Sequence, residues 1–143
     1  KSSRILAAVE LGRRFYNDTG IKIKSATDIY KLLRGYGHKN QEYFITISID
    51  GSNSMIRKRV LFIGTLNRSL VHPREIFHYA LKDRAAGLIL VHNHPSNNVN
   101  PSNEDIDITK RLKEIGDLIG IDIIDHIIIG NNDFFSFSSS GLI

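Results

Sequence analysis

The chain contains no cysteine among its 143 residues, which excludes a disulfide framework and any thiolate metal site. It has no apolar run approaching the ~20 residues that a membrane-spanning helix requires. No secretory or transit peptide is visible either. Phosphate-cradling and dinucleotide-binding glycine motifs are missing, as are repeats, low-complexity tracts and internal linkers. What is left is a globular composition, 41% apolar and 24% charged, of a length suited to one domain with a proper core. These absences are compatible with the cytosol, and a cytoplasmic protein with no membrane partner is the expectation. No initiator Met precedes Lys1-Ser2-Ser3-Arg4, so the chain reads as a piece of a longer protein with an N-terminal module missing.

Acidic residues are scarce in the first part of the chain. Residues 1–84 carry 16 Lys and Arg against 7 Asp and Glu, whereas residues 85–143 carry 3 against 8. The basic half could touch nucleic acid, but its one dense cluster is Arg57-Lys58-Arg59, which also reads as solvated surface. The acidic half is where a cation site belongs.

Apolar spacing predicts a helix over residues 3–16. A second helix follows from a Ser25-Ala26-Thr27-Asp28 cap to about Arg34, with Leu32 and Leu33 buried and Gly35 and Gly37 ending it. Residues 42–50 alternate, with Tyr43, Ile45, Ile47 and Ile49 on one side and Glu42, Phe44, Thr46 and Ser48 on the other. With residues 55–64 they form an antiparallel hairpin around Asp50-Gly51-Ser52-Asn53. Pro73 opens a helix to about Arg84. Residues 87–91 are a wholly apolar strand covered on both faces. A helix over 102–119, closed by Gly120, a buried strand over 121–129 and an edge strand over 134–138 complete the chain. This order predicts an α/β fold, a mixed sheet with helices on both faces.

The apolar strand runs into His92-Asn93-His94-Pro95, and Ser102-Asn103-Glu104-Asp105 follows. Residues two apart in an extended segment project to the same side, so His92 and His94 aim together and Asn93 faces away. Pro95 cannot continue a sheet ladder and leaves the rings at an open strand end. Taken alone, Ser102 to Asp105 is a capping box. Beside His-x-His, the helix start brings a third ligand to the strand end, and the helix dipole favours the ionised carboxylate of Asp105. Two imidazoles and one carboxylate suit zinc with a fourth position open, the pattern of a catalytic site. A base is then needed. Glu42, on the side of its strand away from the isoleucines, is the candidate, its other reading being an exposed strand-start carboxylate. Ser102 could hydrogen-bond a developing oxyanion or the metal's water, or serve only as a cap.

The order Glu42, His92-x-His94-Pro95, Ser102-x-x-Asp105 resembles the JAMM motif of MPN-type metalloproteases. More narrowly, His92-Asn93-His94-Pro95-Ser96, Pro101-Ser102-x-x-Asp105, Asp125-His126-Ile127-Ile128-Ile129-Gly130 and residues 64–75 resemble the bacterial RadC family over most of the chain. The resemblance implies a three-layer α/β/α fold similar to the cytidine-deaminase architecture. Residues 36–143 would form the MPN/JAMM domain, and residues 1–35 a helical segment packing on it or leading into it. It further implies Zn2+ at His92, His94 and Asp105, Glu42 as general base, Ser102 as transition-state donor, and a helix-hairpin-helix module upstream. RadC members usually carry Gly where this chain has Asn97, which bears on loop shape and substrate access. The zinc deaminase signature, His-x-Glu with Pro-Cys-x-x-Cys, is absent.

Three functions are in view. One is a zinc-dependent hydrolase of amide, peptide or isopeptide bonds acting on a peptide or protein substrate. Another is a DNA-repair or DNA-metabolism accessory module, touching DNA through the basic half or the missing module, in which hydrolysis is incidental. The third is an idle site that binds zinc for stability. His72 and His78 are excluded as a ligand pair, since six helical residues turn through about 600° and point them apart. His126, inside a buried strand, reads as a structural hydrogen-bonding residue or as an outer support for a metal ligand. The polar loop over 97–100 is a candidate lid.

Overall fold

The computed structural model describes residues 19–67 and 69–143, so the helix expected over residues 3–16 lies outside the described residues. Helix α1 (Ala26–Leu33) leads through a 3-10 turn (Arg34–His38) to strands β1 (Tyr43–Ile49) and β2 (Met55–Ile63). Helix α2 (Pro73–Lys82), strand β3 (Gly87–Asn93), helix α3 (Asn103–Ile119), and strands β4 (Asp122–Ile129) and β5 (Phe134–Ser136) follow. The five strands lie in the order β2-β1-β3-β4-β5. All neighbours are antiparallel except β3 and β4, which are parallel and therefore need the crossover that α3 provides.

The sheet separates two cores. On one face Ile76, Phe77 and Ala80 of α2 and Ile108 and Leu112 of α3 pack with Phe44, Leu88 and Leu90. On the other, Ile29 and Leu33 of α1 meet Ile45, Ile47, Ile89, Val91, Ile127 and Ile129. This is the expected three-layer α/β/α arrangement. β3 is buried at every position, so its unbroken apolar run needs no polar face. Truncating such residues to alanine costs about 2–5 kcal/mol each.

Several local expectations are corrected. Ile29 and Leu33 are the buried face of α1, while Leu32 is half-buried. Ser25 is its N-cap but makes no side-chain cap bond: the Asp28 N–H donates to the Ser25 carbonyl at 3.1 Å, and the Asp28 carboxylate accepts from the Lys24 N–H. Gly35 and Gly37 lie inside the 3-10 turn that extends the helix. A Cβ on Gly37 would stand 2.0 Å from the Gly130 carbonyl oxygen; only glycine lets those two loops touch. β3 runs two residues further than the apolar stretch, through His92 and Asn93, and β5 is shorter than expected, ending at Ser136.

Candidate metal centre

β3 delivers His92, and its register with β1 sets what stands opposite. Phe44 pairs with His92; extending that register by two residues sets Glu42 across from His94, just beyond the two strands, and both line one groove. His94 lies just beyond the strand but is still tied to the sheet, its N–H donating to the Ile129 carbonyl at 2.9 Å. From the other side comes the first turn of α3. The Ser102 hydroxyl accepts from Asp105 N–H at 3.1 Å, and Asp105 Oδ2 accepts from Ser102 N–H at 2.8 Å.

The capping box is real, and so is the convergence. Asp105 Oδ1 lies 3.3 Å from His92 Nε2, and Oδ2 lies 3.2 Å from His94 Nε2. The two Nε2 atoms are 2.9 Å apart. One ligand atom from each of His92, His94 and Asp105 falls within 4.8 Å of the others, and His92 and Asp105 are buried to 1% and 2% exposure. These three residues are close enough to hold one metal ion.

Proton bookkeeping strengthens the fit. His94 Nδ1 faces the Asn98 carbonyl at 2.7 Å; a carbonyl only accepts, so Nδ1 carries a proton and neutral His94 has a bare Nε2. For His92 the chain is longer. The Thr109 hydroxyl donates to the Asp105 carbonyl at 2.6 Å, so toward His126 Nδ1, at 2.5 Å, it accepts. His126 Nε2 is then free to accept from His92 Nδ1 at 2.8 Å, which leaves His92 Nε2 bare as well. Two lone pairs and a carboxylate thus face one another, an arrangement that only a proton or a cation relieves. Supports of this kind fix the tautomer and orientation of metal-binding imidazoles.

The titration behaviour agrees. Without a metal a proton can occupy the gap on Nε2; burial opposes ionisation of Asp105, but hydrogen bonding from His92 and His94 in that protonated state overrides it and holds the carboxyl far below the usual carboxylate range. Burial likewise disfavours a charged His94, yet Asp105, the Asn98 carbonyl and the charge of Glu42 raise its pKa. His126, fully buried and stacked on Phe137 with ring centroids 4.8 Å apart, is pushed well down by burial and then by His92. It is a neutral support.

A groove of about 420 Å³ opens on this centre, and Glu42, Leu66, His94, Ser102, Glu104 and Asp105 line it. Glu42 is half-buried, and its Oε2 accepts from the Leu66 N–H at 2.9 Å. Four of the five residues singled out in the sequence thus line one groove, and the fifth, His92, lies behind it against His94 and Asp105. A cavity of about 480 Å³ between β2 and α2, lined by Arg59, Glu75 and Tyr79 among others, includes none of them.

The loop over residues 97–100 is anchored at its start. Asn97 has φ +66°, a left-handed conformation that asparagine and glycine tolerate best, which accounts for Asn97 at a position where the RadC pattern has Gly. Its Oδ1 accepts from the Asn131 N–H at 2.9 Å, while the Asn98 carbonyl holds the His94 ring. Sequence reasoning missed Thr109 and Asn98. Thr109 had a signal, standing four residues after Asp105 on one helix face; Asn98 acts through its backbone and had none.

Residues 23–142 match the family model of the RadC-like JAB domain. Among curated relatives, a UPF0758 protein of Geobacillus thermodenitrificans is 46% identical over 148 residues, covering 100% of this chain and 65% of that protein. UPF0758 protein YsxA of Bacillus subtilis is 46% identical over 145 residues, covering 99% of this chain and 63% of the relative. A UPF0758 protein of Clostridium perfringens is 47% identical over 146 residues, with 100% and 64% covered. The chain thus spans slightly less than two thirds of the length of these relatives. On the match of its JAB domain and its likeness to these relatives over essentially its whole length, the chain belongs to the RadC family.

Proposed function

We propose that this chain is the catalytic domain of a zinc-dependent hydrolase of amide, peptide or isopeptide bonds. The observation that carries the reading is the meeting of two bare imidazole nitrogens and one carboxylate at the floor of a groove that Glu42, His94, Ser102 and Asp105 line, with His92 buried behind them. His92, His94 and Asp105 would hold the ion, a donor set of nitrogen and oxygen that suits zinc. Bound there, zinc supplies Lewis acidity toward a water and a carbonyl oxygen. Glu42 takes a proton from the attacking water and returns it to the departing amine. Leu66 N–H holds one of its oxygens, leaving the other for the proton. The Ser102 oxygen accepts from Asp105 N–H, so its own proton is free to donate to a developing oxyanion.

Metal analysis combined with cleavage assays on fluorogenic peptide and isopeptide amides tests the reading. Glu42→Gln should keep the metal and lose turnover by about 10²–10⁴-fold, the usual share of a general base. If the glutamine variant cleaves at the original rate, the assigned role of Glu42 is wrong. The DNA-binding reading has less behind it. Of Arg57-Lys58-Arg59, the Arg59 guanidinium is spent on a two-point pair with Asp83 and lies 4.7 Å from the centroid of the Tyr79 ring.

A further inference from the structure

We propose that Asn93 is a positioning residue for Glu42, its side-chain amide clamping the backbone on both sides of that glutamate. Asn93 is 1% exposed and ends β3 between the two candidate ligands, with its side chain directed away from them. Its Oδ1 accepts from the Tyr43 N–H at 2.6 Å, and its Nδ2 donates to the Gln41 carbonyl at 2.9 Å. Glu42 is the residue between. On the β2 side the start of β1 is held by the Tyr43–Ile63 pair and by Gly64 N–H donating to the Glu42 carbonyl at 2.8 Å, but on the β3 side the described ladder stops at Phe44 and His92. A carboxamide has the donor and acceptor of a peptide group, and here it continues the ladder past its last backbone pair. The strand that carries the histidines thereby grips the segment that carries the carboxylate.

The inference rests on Glu42 as the proton-transfer group, but the clamp can be read without turnover. Leu66 N–H donates to Glu42 Oε2 and shares no hydrogen bond with Asn93, so its exchange reports where the carboxylate sits. In Asn93→Ala, amide exchange at Tyr43 and at Leu66 should each accelerate by at least about 10-fold. The His94 amide, bound to Ile129, and the zinc affinity should stay within about threefold of the parent. Turnover of a fluorogenic peptide amide should fall about 10–100-fold in kcat with KM little changed, the cost of a misplaced group. Asn93→Asp keeps the acceptor for Tyr43 and loses the bond to Gln41; it should preserve Tyr43 protection and fall between the two in kcat and in Leu66 exchange. It carries the test alone if the alanine variant does not fold.

Unchanged Leu66 exchange in either variant would overturn the proposal, since Asn93 would then be satisfying local polarity only. So would a loss of zinc affinity as large as the loss of turnover. If the zinc-loaded parent cleaves no amide, the hydrolase reading falls by itself, and the exchange measurements still decide whether Asn93 holds Glu42.

Discussion

Replacing Thr109 with valine removes one oxygen from a site that touches no ligand atom, yet it should weaken metal binding. Thr109 and His126 are both fully buried. In the variant, the Nδ1 proton of His126 would face a methyl group. Keeping it there strands a buried N–H, at about 1–3 kcal/mol. The alternative moves the proton to Nε2 of His126, which then donates to His92 Nδ1 and forces the His92 proton onto Nε2, into the seat of the ion. Metal binding must reverse that shift and bear the same 1–3 kcal/mol, which at 1.4 kcal/mol per tenfold is a loss of about 5–150-fold in affinity. Competition against a chromophoric chelator measures it, and nitrogen-15 shifts of the imidazoles in the metal-free protein read the tautomers directly. Thr109→Ser, which keeps the hydroxyl, should bind within about threefold of the parent. Affinity in Thr109→Val within twofold of the parent, with His92 still protonated at Nδ1, would refute the relay.

Two further outcomes follow from the geometry. The pKa of His94 is raised in the folded, metal-free protein, by Asp105 and the Asn98 carbonyl against the opposing effect of burial. Its stabilisation is therefore complete below the ordinary histidine value of ~6.5 and is lost as pH rises through the raised value. The metal-free protein should melt lower at about pH 8.5 than at about pH 6, while zinc affinity rises over the same interval because protons compete for His94. Thermal melts and chelator titrations check both, and a flat metal-free melting profile would contradict the first. Asn97→Ala places an ordinary side chain at φ +66° and should cost about 1–2 kcal/mol from the backbone alone. Asn97→Gly should lose only the Asn131 bond, about 1 kcal/mol. Equal melting temperatures for the two would show that the loop does not depend on that conformation.

The site was legible because its parts obey short-range rules. Alternation along a strand put His92 and His94 on one side, Pro95 stopped the ladder, and Ser102 with Asp105 announced a helix start. Together they required no knowledge of the fold. Placing Glu42 opposite His94 needed the register between β1 and β3, which no spacing within either strand specifies. The supports were hidden for different reasons. Asn98 works through a carbonyl that every residue possesses, and the bonds of Asn93 reach 50 or more residues back in the chain. At α1, local propensity favoured a capped start at Ser25, but the Asp28 carboxylate turned to Lys24 N–H. Leu32 looked as apolar as Leu33, yet the sheet takes up only one side of that short helix, where Ile29 also points.

Asp105 closes the hydrogen-bonded head of a 17-residue helix and also faces both imidazoles. The longest helix in the described chain and the ion seat are thus fastened by the same carboxylate. An inactive control for the proposed hydrolase is therefore poorly made there, since such a variant loses its helix start together with the proposed ion seat and would be depleted as protein. His94 sits on the stretch after the strand and takes part in no cap, so a change at that ring silences the seat while the helix keeps its beginning.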